Sequence, residues 1–303
     1  MSIWQTKSWG KFLVSSGQAE EVFNVGWIQV EKRRVAMWEY GLFVLWVAEP
    51  PSSLIRENLE QLCKQKNCLF IQVETLNYIP LLTKEGLGVV EWGWKQDYYK
   101  KFITPYTAVI DLTQSEDEIL AAMKPKGRYN IKLARKKWVE VMQSDNSERD
   151  IKAYYNLMQE TTSRDSFAGN SIEYYKKFLT QNKSSKLLLA KQDNVVIAAG
   201  IFIFDTEVSI YYYGASTSQK EYRNLMAPYL LQWEAISIAK NSWSKLYDFL
   251  GVATPGDKNS SLAWVTSFKK KLTPDIRKVS NSYIYVNKKL KYSFIQILRK
   301  IKK

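Results

Sequence analysis

The chain of 303 residues contains no histidine and only two cysteines. Without histidine, neither a Ser-His-Asp triad nor a Cys-His pair can form, and the usual general base near neutral pH is missing. Two cysteines, Cys63 and Cys68, cannot build a disulfide framework, and most zinc sites need histidine. We therefore predict buried, apolar cysteines and no metal or cofactor, so that any chemistry must use carboxylates, lysine, tyrosine or the substrate itself.

Long apolar runs are also missing. No stretch approaches the roughly 18 uncharged apolar residues of a membrane span, and residues 1–5 lack the charged and apolar regions of a signal peptide. The sequence thus predicts a cytoplasmic protein. With 46% hydrophobic residues it can still bury a core, and its length is typical of about two domains.

Positive charge is abundant, with 44 Lys and Arg against 30 Asp and Glu. Residues 1–108 hold 12 cations and 11 acids, so nearly all of the net charge of +14 lies in residues 109–303. The densest segment, 124–137, has seven cations and no acid. Such a run suits the phosphates of a nucleic acid, a nucleotide or a lipid-linked precursor. A helix with one solvated basic face fits the same residues.

The pattern of segment 245–271 predicts a buried strand over 246–252, a Gly/Pro/Ser-rich loop, and a short helix from about residue 261 that ends in Phe268 and three lysines. An acidic residue in an apolar strand costs free energy unless it is bonded, so Asp248 is predicted to have a fixed partner. A strand that opens into a loop and a cationic helix is a common way to hold a charged substrate. Solvated lysines at a helix end, where cations suit the helix dipole, fit equally well.

Hydrophobic periodicity predicts a mixed α/β protein. In the first part of the chain we expect a short helix over 1–14, strands over 27–35 and 36–47, a helix over 53–66 capped at Ser52, a strand over 68–74, a turn near Gly86 and strands around 89–94. In the second part we expect a strand over 107–112, a helix opened by the capping-box spacing of Thr113 and Glu116, helices over 150–161 and 171–181, a meander over 186–191, 195–204 and 207–215, a helix over 228–240 and a last strand over 277–286.

The order of elements in the second part is that of a GNAT-type acyltransferase domain. Acetyl-CoA enzymes of that fold carry a glycine-bearing loop whose backbone amides cradle the pyrophosphate. The corresponding stretch here, 219–228, has no glycine. The fold is therefore indicated, whereas the usual donor site is not.

Five motifs resemble, in order and spacing, those of the Fem-type (FemABX) aminoacyltransferases. They are Arg128-Tyr-Asn-Ile-Lys-Leu-Ala134, Tyr213-Gly-Ala-Ser216, Ala227-Pro-Tyr-Leu-Leu-Gln-Trp233, Tyr247-Asp-Phe-Leu-Gly251 and Ser267-Phe-Lys269, preceded by Trp4-Gln5 and Trp9-Gly10. The resemblance implies two GNAT-like domains, 1–108 plus 280–303 and 109–279, with the final segment returning to the first. It also implies an enzyme that moves an amino acid from aminoacyl-tRNA onto a stem-peptide amine of a peptidoglycan precursor.

The resemblance also implies roles for single residues. Lys269, after Phe268, would stabilise the negative oxygen that forms when the amine attacks the aminoacyl ester, which suits a fixed ammonium. Glu74 matches an acidic position near the acceptor site and either orients the amine or is a partly solvated carboxylate at the end of its strand. Asp248 and Tyr213 match positions that hold the precursor. Lys270 and Lys271 would contact tRNA.

Basic side chains are candidates for phosphate contacts. Arg128 would bind a phosphate or make a structural salt bridge. In the branch of the family that acts on UDP-linked precursors, basic residues lie near the N-terminal motif and ahead of the helix that contains Tyr174. Here Lys11 and Arg164 lie close to those positions without occupying them, which leaves the acceptor open between a UDP-linked precursor and lipid II.

The C-terminal stretch 288–303 places four apolar residues on one helical face among lysines. We favour a helix that returns to the first domain, although a helix on the anionic inner face of a membrane fits as well. Two other functions stay open, an N-acyltransferase that uses acyl-CoA and a non-catalytic RNA-binding protein.

Overall fold

The computed structural model describes residues 2–48, 51–80, 93–257, 259–279 and 281–301. The chain divides into two compact units, the first formed by Met1–Pro105 and Lys278–Lys303 and the second by Tyr106–Arg277. A 3-10 turn at Ile3–Gln5 opens the chain. The helices are α1 Lys7–Ser15, α2 Ser53–Gln65, α3 Glu116–Ala122, α4 Pro125–Lys136, α5 Glu148–Asp165, α6 Ile172–Gln181, α7 Lys220–Arg223, α8 Ala227–Asn241, α9 Ala263–Lys269 and α10 Lys289–Ile301. The strands are β1 Glu21–Val25, β2 Ile28–Ala36, β3 Glu39–Val47, β4 Phe70–Thr75, β5 Ile79–Pro80, β6 Tyr106–Asp111, β7 Glu140–Gln143, β8 Ser185–Gln192, β9 Val195–Ile203, β10 Val208–Ser216, β11 Leu246–Val252, β12 Ile276–Lys278 and β13 Ser282–Val286.

The first unit is a five-stranded sheet in the order β1-β2-β3-β4-β13. Side chains of β3 alternate between its two faces, because Leu42 and Val44 join one core cluster and Phe43 and Leu45 the other. Helix α2 covers the first face, where Cys63 is fully buried, and α10 contributes to the second. Both cysteines are buried, as predicted. The returning segment is also confirmed, since β13 pairs antiparallel with β4.

The second unit contains the sheet strands β12-β6-β11-β10-β9-β8-β7. Strands β8, β9 and β10 form the predicted antiparallel meander, with Asp193 and Asn194 in the left-handed region at the first turn, as two-residue hairpins require. Helix α8 is buried along much of its length against the sheet and α4, because its side chains from Leu230 to Ile236 are apolar on most faces. One core cluster of this unit lies on the α8 side of the sheet, and helices α5 and α6 contribute further fully buried side chains, among them Tyr154 and Phe178.

Several sequence predictions need correction. The capping box that opens α3 is formed by Ser115 and Glu118, whereas Thr113 bonds back to Asp111 at the end of β6. The strand expected over 277–286 is two strands, because β12 belongs to the second sheet and β13 to the first. Strands β1 and β7 were not predicted. The turn near Gly86 and most of the strands around 89–94 fall outside the described residues.

No helix in the described ranges is long and apolar enough to cross a membrane.

Candidate active site

The site is built where two parallel strands of the second unit part. Strands β10 and β11 pair only from Val208↔Leu246 to Ile210↔Asp248. Beyond that point β10 is irregular between Tyr211 and Tyr213, and β11 shifts register against β6 between Asp248 and Gly251. Parallel strands that separate at their carboxyl ends leave backbone groups and side chains available for a ligand. The strand predicted to contain Asp248 therefore leaves β10 at this opening while it still pairs with β6.

Asp248 fixes the bend in β11 that follows its pairing with β10. Its carboxylate accepts hydrogen bonds from Thr107 Oγ1 and from the backbone N–H of Leu250, the latter at 2.7 Å, and the residue is 1% exposed. Leu250 has a φ of 56°, a left-handed conformation that costs about 1–2 kcal/mol in a residue other than glycine. The predicted fixed partner of Asp248 is thus confirmed. Its carboxylate holds the bend that turns the next carbonyls of the strand.

Lys269 lies under that bend. Its Nζ donates to the carbonyl oxygens of Leu250 and Gly251, at 3.0 and 2.8 Å, and only 5% of the residue is exposed. Burial lowers the pKa of Lys269 from 10.5 to about 8, while the nearby Asp248 carboxylate raises it. At neutral pH about nine tenths of the side chains therefore stay protonated. The ammonium is held in the protein and does not extend into bulk solvent.

Helix α9 is clamped so that Lys269 has little freedom. Thr266 Oγ1 donates to the carbonyl of Leu262 at 2.7 Å and accepts from the N–H of Ala253 at 2.8 Å. Phe268 packs edge-on against Tyr229 of α8, with ring centroids 5.0 Å apart. The side chain of Phe268 therefore anchors the helix that carries Lys269, and its place among the predicted catalytic residues stays a prediction.

The two basic segments of the sequence meet beside α9. The N–H of Lys124, at the start of α4, donates to the carbonyl of Lys271 at 3.1 Å. Gly127 makes the approach possible, because a Cβ at that position would lie 2.2 Å from the same carbonyl oxygen. We group Lys124, two exposed lysines of α4 and the half-exposed Lys270 and Lys271 under the name cationic surface. Its members are Lys124, Lys126, Lys132, Lys270 and Lys271.

Arg128 has a structural contact that neither sequence interpretation anticipated. Its Nη1 donates to the carbonyls of Leu120, Ala121 and Met123, which end helix α3. A cation at this place satisfies carbonyls without a partner in the helix and suits the helix dipole. Within the described ranges the partners of Arg128 are carbonyl oxygens, so the prediction of a structural salt bridge was wrong.

Tyr174 and Tyr213 are brought together on the other side of the sheet from α8. Their hydroxyl oxygens are 2.8 Å apart, and either can be the donor. Aromatic rings of α6 and β10 surround them, and burial raises the pKa of Tyr213 well above 10. The phenol of Tyr213 therefore stays neutral and acts as a hydrogen-bond group. When Tyr174 donates to Tyr213, the second hydroxyl keeps a hydrogen that it can donate to a ligand.

The loop after β10 is tied to α5 by Glu160 and Arg164. Glu160 accepts from the N–H of Ser218 at 2.5 Å and from Thr217 Oγ1 at 3.2 Å. Arg164 donates to the carbonyl of Ser216 at 3.1 Å and makes a two-point ion pair with Asp165. In GNAT enzymes the amides of this region bind pyrophosphate, but here a carboxylate occupies one of them. The loop is therefore a poor anion site.

Two predicted site residues belong to the first unit. Glu74 is fully buried, and its carboxylate accepts from Gln72 Nε2 at 2.6 Å and from the N–H groups of Phe102 and Ile103 at 3.1 and 2.8 Å. Burial raises its pKa to about 7, although these bonds favour the ionised form. The expectation of a partly solvated carboxylate was wrong. Lys11 is exposed on α1.

Sequence inspection missed Thr107, Glu160 and Thr266, which hold the site in place. Thr107 and Asp248 are 141 positions apart, so no local pattern pairs them. Glu160 is one of several acids on α5, and only its position beside Ser218 distinguishes it. In the described part of the chain no three acidic or cysteine side chains come close enough to hold a metal ion.

A profile of the FemAB family matches residues 53–193 and 180–300 of this chain. The chain belongs to the FemAB family. The predicted fold class is confirmed as well, since the crystal structure of FemX superposes with a TM-score of 0.80 over 97% of this chain and 94% of that chain, at 15% identity. The C-terminal domain of a putative lysylphosphatidylglycerol synthetase from Agrobacterium fabrum gives a TM-score of 0.60 over 90% of this chain and 86% of that chain, at 9% identity.

Curated relatives carry the name lipid II:glycine glycyltransferase. The protein of Staphylococcus saprophyticus is 21% identical over 86% of this chain and 80% of its own length. That of Staphylococcus haemolyticus is 22% identical over 61% of this chain and 59% of its own length. The match thus spans about three fifths of the second relative.

Proposed function

We propose that this FemAB-family protein is an aminoacyltransferase that moves an amino acid from aminoacyl-tRNA onto the stem-peptide amine of a peptidoglycan precursor, as in building an interpeptide bridge. The names of its relatives support the reaction class. The observation that carries the proposal is the buried ammonium of Lys269 at the opening between β10 and β11. A protonated group that is fixed and shielded from water stabilises a developing oxyanion far better than a solvated one.

The reaction needs little else from the protein. The acceptor amine forms a C–N bond to the aminoacyl carbonyl, whose oxygen becomes negative beside Lys269. When the tetrahedral intermediate collapses, the ester C–O bond breaks, the ribose hydroxyl leaves, and the proton of the amine passes to it directly or through water. Asp248 acts as a positioning residue, because it is 1% exposed and holds the bend whose carbonyls orient Lys269.

The cationic surface is the proposed place for tRNA. It begins at Lys270 and Lys271, one and two residues after Lys269, and continues along α4 to Lys132. Phosphates on this surface would lead the acceptor end of the tRNA towards the ammonium. Arg128 joins the start of α4 to the end of α3, and we propose no phosphate contact for it.

The acceptor is proposed to be lipid II, in the cytoplasm at the inner face of the membrane, with a UDP-linked precursor as the alternative. The hydroxyl pair of Tyr174 and Tyr213 supplies a neutral donor for the peptide part of the precursor. Arg164 is a proposed contact for a phosphate of the precursor, although the carboxylate of Asp165 competes for its guanidinium. Lys11, exposed in the first unit, is a separate candidate for a phosphate contact.

An acyl-CoA donor is the second candidate, and the loop after β10 argues against it. The carboxylate of Glu160 already accepts the hydrogen bond of the Ser218 N–H, and Pro228 has no amide hydrogen to offer at the start of α8. A pyrophosphate would have to displace the carboxylate. Calorimetry with acetyl-CoA should show no saturable heat, and micromolar binding would favour this candidate instead.

The proposal is tested with a charged tRNA pool and a lipid-free muropeptide, followed by mass spectrometry of the peptide. We expect a peptide extended by an amino acid, and a loss of at least a hundredfold in kcat for Lys269→Met. Lys270→Met is the matched control and should mainly raise KM for tRNA. Transfer by Lys269→Met at the wild-type rate would remove this lysine from the mechanism, and tRNA binding without any transfer would favour a non-catalytic RNA-binding protein.

A further inference from the structure

In the described part of the chain, one face of helix α10 packs against the first unit and the opposite, apolar face is exposed. On the covered face, the ring of Tyr292 packs edge-on against Phe70 at 5.5 Å, and Ile295 is 9% exposed in the core of the first unit. The guanidinium of Arg299 lies 3.9 Å from the centre of the Tyr99 ring and donates to the Tyr99 carbonyl at 2.6 Å. These contacts fix the rotation of the helix about its axis.

The opposite face presents large apolar side chains to solvent. Leu290 is 90% exposed, Phe294 62% and Ile301 76%, and Ile297 and Leu298 are exposed as well. Spacings of four, seven, eight and eleven residues from Leu290 place all five on one side of the helix. Contiguous apolar surface of this kind on a folded protein marks an interaction site. We call these five residues the α10 stripe.

A hairpin tip of the same unit adds to this surface. Met37 and Trp38, between β2 and β3, are each 81% exposed. The next residue, Glu39, pairs with Lys291 at 2.6 Å, so the tip lies beside the first turn of α10. Exposed tryptophan is typical of protein segments that rest at the boundary between lipid headgroups and hydrocarbon.

The charge around the stripe identifies the partner. Residues 288–303 contain seven Lys and Arg and no Asp or Glu. Lys288 and Lys291 share Glu39, and Arg299 lies on the covered face, so only part of this charge has a partner within the first unit. A purely apolar protein groove would not compensate the other cations, whereas an anionic bilayer accepts both the apolar side chains and the surrounding cations. We propose that the α10 stripe and the Met37–Trp38 tip dock the protein on an anionic membrane surface. The proposal relies on the proposed function only in that a lipid-linked acceptor gives docking a purpose.

Because the covered face already holds α10 in the fold, docking needs no coil-to-helix transition. Free amphipathic peptides fold as they bind and therefore gain helical signal. Here the far-UV circular dichroism should stay unchanged on addition of vesicles, while the stripe moves from water into the interface. A large gain in helical signal on binding would contradict a preformed docking surface.

The first measurement is co-sedimentation of the full chain with vesicles, without tRNA or acceptor, so that it is independent of transfer. We expect binding to vesicles of equal phosphatidylglycerol and phosphatidylcholine, at least tenfold weaker binding to phosphatidylcholine alone, and weakening at 500 mM NaCl. Equal affinity for both vesicle types, or no binding to either, would overturn the proposal. Absence of transfer by a protein that binds vesicles would instead count against the proposed function.

The matched variants separate the stripe from general surface hydrophobicity. Phe294→Ser combined with Ile297→Ser should lower vesicle binding by at least tenfold and leave transfer to a lipid-free muropeptide unchanged. The control combines Leu54→Ser and Trp243→Ser, which remove side chains that are 66% and 85% exposed outside the stripe. Equal losses in both pairs would refute a specific role of α10. If the wild-type protein is a dimer that does not bind vesicles, and the stripe variant is a monomer, then a second copy of the chain covers the α10 stripe and the proposal is wrong.

A fluorescent label reports the docked position directly. The native thiols are suited to this design, because Cys63 and Cys68 are fully buried and burial raises their pKa values to about 12 and about 11. An environment-sensitive dye on Leu290→Cys should shift to shorter wavelength with anionic vesicles. The same dye on Lys64→Cys, exposed on α2, should not shift, and a silent Leu290→Cys label on vesicle-bound protein would place the stripe outside the membrane contact.

Discussion

The pH dependence of Lys269 gives the sharpest test of the proposed mechanism. Burial lowers its pKa from 10.5 to about 8, so the ammonium is present at pH 7 and is lost as the pH rises through 8. If the charge stabilises the oxyanion, the contribution of Lys269 to kcat/KM should fall about tenfold for each pH unit above 8. Alkaline pH also deprotonates the acceptor amine and hydrolyses the aminoacyl ester. The quantity to measure is therefore the ratio of kcat/KM for wild type to that of Lys269→Met.

Stability should change in the opposite direction. A lysine whose pKa is lower in the folded than in the unfolded state destabilises the fold at neutral pH, and this cost disappears as the pH rises from about 8 to about 10.5. Each tenfold difference in proton affinity is worth about 1.4 kcal/mol, so the cost is about 3 kcal/mol. Urea unfolding should show wild type gaining about this much relative to Lys269→Met over that pH range.

The proposed role of Lys269 requires that activity and stability respond to rising pH in opposite directions. The activity ratio is expected to be flat from pH 6 to 7.5 and to fall above 8, while the difference in unfolding free energy grows. Lys270→Met is the control, and both of its curves should be flat, since Lys270 is half-exposed and has no role in the oxyanion. A wild-type to Lys269→Met ratio that is independent of pH up to 9.5 would refute the assignment.

Three further substitutions test the framework of the site. Asp248→Asn removes the charge that raises the pKa of Lys269, so the alkaline fall in activity should move below pH 8. The amide also pairs less well than the carboxylate with the donor groups, so the free energy of unfolding in urea should fall by about 1–3 kcal/mol. An activity profile with the same alkaline midpoint as wild type would contradict an interaction between Asp248 and Lys269. Gly127→Ala places a Cβ 2.2 Å from the carbonyl oxygen of Lys271, so we expect the free energy of unfolding to fall by about 1–3 kcal/mol and tRNA binding to weaken in a salt titration. Wild-type values of both quantities would contradict this close contact. Glu74→Gln places an amide among donor groups and should lower the free energy of unfolding by about 1–3 kcal/mol at pH 8, with kcat unchanged if Glu74 is structural. A large loss of kcat with unchanged stability would instead support the predicted catalytic role.

Local patterns predicted the elements that depend on near neighbours. Ser52 and Ser171 cap α2 and α6 through the N–H three residues on, and the alternation of β8 to β10 required paired strands, because both signals arise within a few residues. The fold class followed from the order of these elements. Strands β1 and β7 were not predicted. Strand β7 is a short edge strand whose side chains are largely exposed and show no clear alternation.

The amino-acid sequence by itself determined the class of chemistry: no histidine, a basic second half, a lysine after a Gly/Pro loop, and ordered motifs that resemble one family. The tertiary structure decided what each charge can do. Lys269 is a buried donor and Glu74 a buried acceptor, although both are ordinary charged residues in the sequence. The structure also decided which face of α10 is left in solvent. The physical reason is that burial and hydrogen bonding, which set pKa and accessibility, depend on partners that lie far away in the chain.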